Sequence, residues 1–126
     1  MKKVIATPDA PKAVGPYSQA IALGDLLFCA GQIPLEPATG ELISGDTAAQ
    51  AERVLKNIQA VLAANEMTFA NVVKTTVFLT DLGDFAKMNE AYARYFAEPF
   101  PARSTIQVAA LPKGASVEIE VTAARS

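Results

Sequence analysis

Histidine and tryptophan are absent from this chain of 126 residues, and cysteine occurs once, as Cys29. The absent imidazole excludes Ser-His-Asp and Cys-His nucleophile systems and removes the commonest zinc ligand. A single thiol closes no intrachain disulfide and builds no thiolate metal cage. Neither sign of charge dominates: 11 Lys+Arg stand against 13 Asp+Glu, a net charge of −2. The basic residues are scattered and no stripe of aromatics is interleaved with them, so a nucleic-acid partner is disfavoured. Long apolar runs are also missing. The longest, from Leu26 to Leu35, contains Gln32 and Pro34 and is far short of the roughly 20 residues that span a bilayer. The start, Met1 to Pro8, is basic but lacks a signal-peptide core, so no membrane partner is expected and the cytoplasm is the expected compartment. Acid–base chemistry is left to carboxylate, lysine, tyrosine or water.

What remains is an apolar chain, 51% hydrophobic, of the length of one domain, and residues 1–126 are expected to form it. From Thr47 to Asn65, Ala51, Val54, Leu55, Ile58, Val61 and Leu62 recur at spacings of three and four, the pattern of an amphipathic helix. Asp46 or Thr47 serves as its N-cap. A second helix is expected from Asp84 to Ala97, with Phe85, Met88, Tyr92, Tyr95 and Phe96 as its apolar stripe and Pro99 and Pro101 beyond its end. Strands are expected at 17–23 and 26–31, joined by Gly24-Asp25, and from Asn71 to Thr80. Residues 103–109 and 116–124 read as a final pair around Leu111-Pro112-Lys113-Gly114. In the last strand Val117, Ile119, Val121 and Ala123 take one face, and Glu118 and Glu120 the other. The order β-β-β-α-β-α-β-β predicts an α+β sheet with both helices on one face. The second face then needs a cover, and with only 19% charged residues an oligomer supplies one.

A few side chains can carry chemistry. Arg103 enters a strand directly after Phe100-Pro101-Ala102, which suits bidentate capture of a carboxylate; a surface ion pair is the commoner fate of an arginine. Glu118 or Glu120, if partly desolvated, can direct or deprotonate water, although such spacing also describes any solvent-facing strand. Tyr17 follows Gly15-Pro16 and opens a strand, where core packing competes with a pocket role. Cys29 reads as a buried structural thiol. Lys74 is either a desolvated amine or an exposed one, and no glycine loop fits a phosphate. These residues describe a cofactor-free domain with an Arg/Glu anion-handling site, without naming a reaction.

Several blocks, in order and spanning nearly the whole chain, resemble one family. They are Gly15-Pro16-Tyr17-Ser18-Gln19-Ala20, Gly31-Gln32-Ile33-Pro34, Pro37-Ala38-Thr39-Gly40-Glu41 and Lys74-Thr75-Thr76-Val77-Phe78-Leu79. Phe85-Ala86-Lys87-Met88-Asn89, Phe100-Pro101-Ala102-Arg103-Ser104 and Val117-Glu118-Ile119-Glu120 complete the set. The family is the Rid proteins, the reactive intermediate deaminases, here of the RidA type. The resemblance implies a chorismate-mutase-like α+β fold, with three subunits packing their sheets into a barrel and sites in the clefts between them. It implies cofactor-free hydrolysis of 2-imino acids, or enamines such as 2-aminoacrylate, to 2-oxo acids and ammonia.

By the same resemblance Arg103 clamps the substrate carboxylate, Glu118 orients the water, and Tyr17 stands near the reacting carbon and nitrogen. Gly31 and Asn89 line the cleft. Thr105 stands where many members have cysteine, and its backbone carbonyl is expected to accept a hydrogen bond from the imine nitrogen. Two alternative functions stay open: a non-catalytic sensor of small 2-oxo acids, and the RNA-cleaving, translation-inhibiting activity credited to some relatives. The acidic balance and missing histidine weigh against the latter.

Overall fold

A computed structural model describes residues 1–126. Eight regular elements follow the predicted order: β1 (Lys3–Ile5), β2 (Ala20–Leu23), β3 (Leu26–Gln32), α1 (Thr47–Ala64), β4 (Val72–Leu79), α2 (Phe85–Tyr92), β5 (Ala102–Gln107) and β6 (Val117–Ala124). The strands form one mixed sheet in the order β1-β2-β3-β6-β4-β5, with both helices on one side. Asp46 caps α1, its Oδ1 accepting from the Ala49 N–H at 3.0 Å. The apolar stripe of α1 supplies Val54, Leu55, Ile58, Val61 and Leu62 to the core, none more than 1% exposed. Each such buried side chain contributes roughly 1.5–3 kcal/mol. Facing them from the sheet are Leu27, Val77, Leu79, Val117 and Ile119, all fully buried.

Three expectations need correction. The last two strands are not paired with each other. Beta6 lies antiparallel between β3 and β4, while β5 joins the far side of β4 in parallel, through the α2 crossover that parallel neighbours require. The second helix ends at Tyr92, five residues before Ala97. Beyond it Arg94 and Tyr95 donate to carbonyls three residues back, and Tyr95 and Phe96 turn onto Phe69, their rings 5.3 and 5.0 Å from its centroid. Tyr17 does not open a strand: β2 begins at Ala20, and Tyr17 lies in the irregular segment before it, just past a bend at Gly15, whose φ is +118°, and Pro16.

The other side of the sheet carries no layer. Strand alternation and register assign Phe28, Thr122, Lys74, Glu120, Thr76, Glu118, Phe78 and Ile106 to it. Phe28 and Ile106 are 44% and 45% exposed, and Leu23, Leu26 and Val4 extend the apolar surface. Lys74 reaches Ser104 Oγ at 3.3 Å on this exposed side. Cys29 points the other way into the core, where burial pushes its thiol up to about 12.

Candidate functional site

Register decides where the candidate residues stand. Arg103 is opposite Thr75, which is fully buried beneath the helices, so the arginine projects to the helix-covered face. Glu118 is opposite Phe78, out of phase with the buried Val117 and Ile119, so it projects to the bare face. A single protomer holds the two on opposite sides of its own sheet.

Around Arg103 the charge is held without being neutralised. Its Nη1 donates to Asn89 Oδ1 at 2.8 Å, and its Cζ lies 4.8 Å from the Tyr92 ring centroid and 5.4 Å from that of Phe85. These residues recur at 85, 89 and 92, one stripe of α2. None of the ion pairs in the structure involves Arg103. Burial pushes the Tyr92 hydroxyl above its ordinary value, so it is a neutral phenol and no counter-ion. Aromatic faces and an amide orient a guanidinium while leaving its charge free for an anion. Thr105 follows on the same face of β5, and its buried Oγ1 has no hydrogen-bond partner. Beta5 is the sheet edge, and Val108 N–H donates to Leu79 O. Alternation then turns the N–H and C=O of Thr105 away from β4, towards the open edge.

The bare face carries the second group of candidates. Glu118 is half-buried, and its pKa is raised first by that burial and then by the charge of Glu120; no cation or hydrogen-bond donor offsets them. Beside it β3 slips register between Cys29 and Gln32, and Gly31 stands at this irregularity. A Cβ on Gly31 would collide with the Glu118 carboxylate, meeting its Cδ at 2.9 Å. The missing side chain is the room in which the carboxylate lies. Gly31 and Glu118 line a groove of about 930 Å³ that also includes Tyr17, Lys12 and Lys113. Tyr17 is 55% exposed there.

Two buried amides hold the groove's walls. Gln19 accepts from the Thr7 N–H at 2.7 Å and donates to the carbonyls of Thr7, Ala10 and Pro11, fixing the segment before Tyr17. Asn57 of α1, fully buried, donates to the carbonyls of Ile33 and Leu35 and accepts from Arg53. Nothing in the sequence pattern marks the role of either amide, and the helical spacing of Phe85 and Tyr92 marks only an apolar stripe. The recurrence of Phe85, Asn89 and Tyr92 along one helix face was the available signal. Tyr17, Gly31 and Glu118 are thus brought together, as are Arg103, Asn89 and Thr105, and each set is separated from the other by the sheet. No group of three His, Cys, Asp or Glu is placed to hold a metal ion, and no helix is long and apolar enough to cross a membrane.

Comparison with known proteins extends this geometry. Residues 7–125 match the family model described as Endoribonuclease L-PSP. The protein DfrA of Myxococcus xanthus is 56% identical over 124 residues, covering 97% of this chain and 95% of that one. The human 2-iminobutanoate/2-iminopropanoate deaminase is 49% identical over 123 residues, covering 98% of this chain and 90% of its own. The crystal structure of E. coli TdcF with bound serine superposes with a TM-score of 0.93 at 46% identity, covering 98% of this chain and 99% of that one.

Proposed function

The chain belongs to the Endoribonuclease L-PSP (Rid) family, and from that premise we propose that it hydrolyses 2-imino acids to 2-oxo acids and ammonia. The observation that carries the reading is the charge layout: an arginine oriented but unneutralised on one face, and a carboxylate with a raised pKa on the other. Together these are what an α-imino carboxylate and an attacking water need. The relative named a deaminase and the relative with bound serine support a small amino-acid-like substrate.

Because the two groups face opposite ways, the reaction joins Arg103 of one protomer to Glu118 of another. Three copies packing their bare faces together cover Phe28, Leu26 and Ile106 and make that junction. The carboxylate of the substrate rests on Arg103, with Asn89 restraining one guanidinium nitrogen. The open backbone and hydroxyl of Thr105 receive the imine end. Glu118 takes a proton from water as its oxygen bonds to the iminium carbon, and the C=N π pair moves to nitrogen. Protonation of that nitrogen and loss of the hydroxyl proton break the C–N bond, releasing ammonia and the 2-oxo acid. An enamine substrate first tautomerises to the imine. The Tyr17 hydroxyl borders the reacting atoms from the Glu118 side. The iminium carbon is already electrophilic, so positioning and one directed water suffice, and no cofactor has a step here.

The test is to generate 2-aminoacrylate in situ with a serine dehydratase and follow pyruvate release. The protein is expected to accelerate it, and Arg103→Ala to lower kcat/KM about a hundredfold, the scale of losing a charge-assisted contact. Saturable 2-oxo acid binding without acceleration would instead favour a sensor. Wild-type rates in Arg103→Ala would overturn the assignment of the clamp.

A further inference from the structure

The guanidinium of Arg103 is only as well aimed as the helix beneath it, and one hydrogen bond ties that helix to β4, the strand beside the one that carries the arginine. Tyr92 Oη and Thr75 Oγ1 share a buried bond of 2.8 Å. Thr75 is the residue of β4 directly opposite Arg103 on β5. The Tyr92 ring therefore lies against the guanidinium on its face and is latched at its rim to the neighbouring strand. The ring also stacks on Phe96 at 4.2 Å and 25°, which supports it from within the core but gives no directional tie to the sheet.

The geometry points to Tyr92 as a positioning residue for carboxylate recognition, with Thr75 as its anchor: their hydrogen bond fixes the ring that fixes the plane of Arg103. This rests on the reading of Arg103 as the carboxylate clamp. Tyr92 is 7% exposed and Thr75 fully buried, so neither touches substrate, and both act through the guanidinium. Asn89 restrains one nitrogen of Arg103 by a directional bond, whereas the ring restrains the tilt of the whole plane. Bidentate capture needs both restraints, because two parallel N–H···O bonds form only when the fork and the carboxylate are coplanar.

Tyr92→Phe removes the latch and keeps the ring, and Thr75→Val removes the partner at nearly constant shape. Either change is expected to raise KM for the imine, and Kd for 2-oxobutanoate in calorimetry, by about three- to tenfold, the scale of one net hydrogen bond. The kcat is expected to stay within about twofold, because the water-directing side of the site is untouched. The double variant is expected to match the worse single one, since both remove the same bond. A fall in thermal stability with KM and Kd unchanged well below the melting temperature would show a structural tie only and overturn the proposal. So would additive effects in the double variant. Failure of the wild type to bind 2-oxobutanoate or to accelerate pyruvate release would instead strike the clamp and deaminase readings, which keeps the two outcomes apart. Should Thr75→Val unfold, Thr75→Ser, which keeps the hydroxyl, is expected to restore wild-type Kd, and a raised Kd there would count against the anchor.

Discussion

On the helix-covered face Arg103 rests against three side chains of α2, while on the bare face Glu118 has no donor or cation to satisfy it. The covered face can afford rigidity because α2 packs over it, and rigidity suits a group whose task is to bind. The bare face leaves a carboxylate half-desolvated and raised in pKa, which suits a group whose task is to take a proton. In the proposed reaction, binding and proton transfer are built on two surfaces that the sheet keeps apart. In that reading they meet where copies of the chain do.

The sharpest way to break that contrast is to mix two inactive proteins. Arg103→Ala and Glu118→Ala, each alone, are expected to lose nearly all imine hydrolysis. Unfolded and reassembled together at equal amounts, they are expected to recover roughly a quarter of the wild-type rate, because sites pairing an intact arginine with an intact glutamate reappear by random mixing. No recovery in properly assembled mixtures would mean that the two faces do not share a site.

A smaller effect isolates the bare face. Gly31→Ala puts a methyl where the Glu118 carboxylate lies, and the flexible end of that side chain can swing away. Turnover is expected to fall at least about tenfold, while 2-oxobutanoate affinity and the melting temperature change little. Equal losses of affinity and rate would place Gly31 on the binding side of the comparison.

The smallest effect is on stability and its pH dependence. Glu118 has a raised pKa in the folded protomer, so it destabilises the fold increasingly as pH rises above the ordinary glutamate value, and the penalty is complete once pH exceeds the raised one. Glu118→Gln is therefore expected to melt higher than the wild type near pH 7. The gap should narrow as pH falls through the raised pKa and close below the ordinary glutamate range near about 4. In the wild type, activity should rise with pH on a limb set above that ordinary value. Thermal scans across pH check the first point, and a rate profile the second. A gap that widens in acid would reverse the electrostatic picture of Glu118.

Much of this was legible in the sequence. Three- and four-residue spacing located α1, and strict alternation in β6 placed Glu118 opposite the core-facing Val117 and Ile119. Alternation gives the face of a residue within its own strand, but not which strand lies beside it. Pairing residues 103–109 with 116–124 as sequence neighbours was therefore an error of adjacency, and the relative faces of Arg103 and Glu118 depended on the parallel β4–β5 register. The polar anchors were hidden for another reason. Gln19, Asn57 and the hydroxyl of Tyr92 bond to loop carbonyls or a strand hydroxyl 8 to 24 positions away, and no local pattern marks such a partner. Tyr92 and Phe85 looked apolar because they are; their use as a platform for a cation appears only once Arg103 is set against them.

The clip made by Asn57 has a consequence for how this scaffold can change. It holds the loop entering the groove through the main-chain oxygens of Ile33 and Leu35, and every residue type offers such an oxygen. The fastening does not read the side chains of what it fastens. The wall at Pro37, Ala38 and Thr39 can be rewritten as a cassette that reshapes the groove, while the strands bearing Arg103 and Glu118 keep their places.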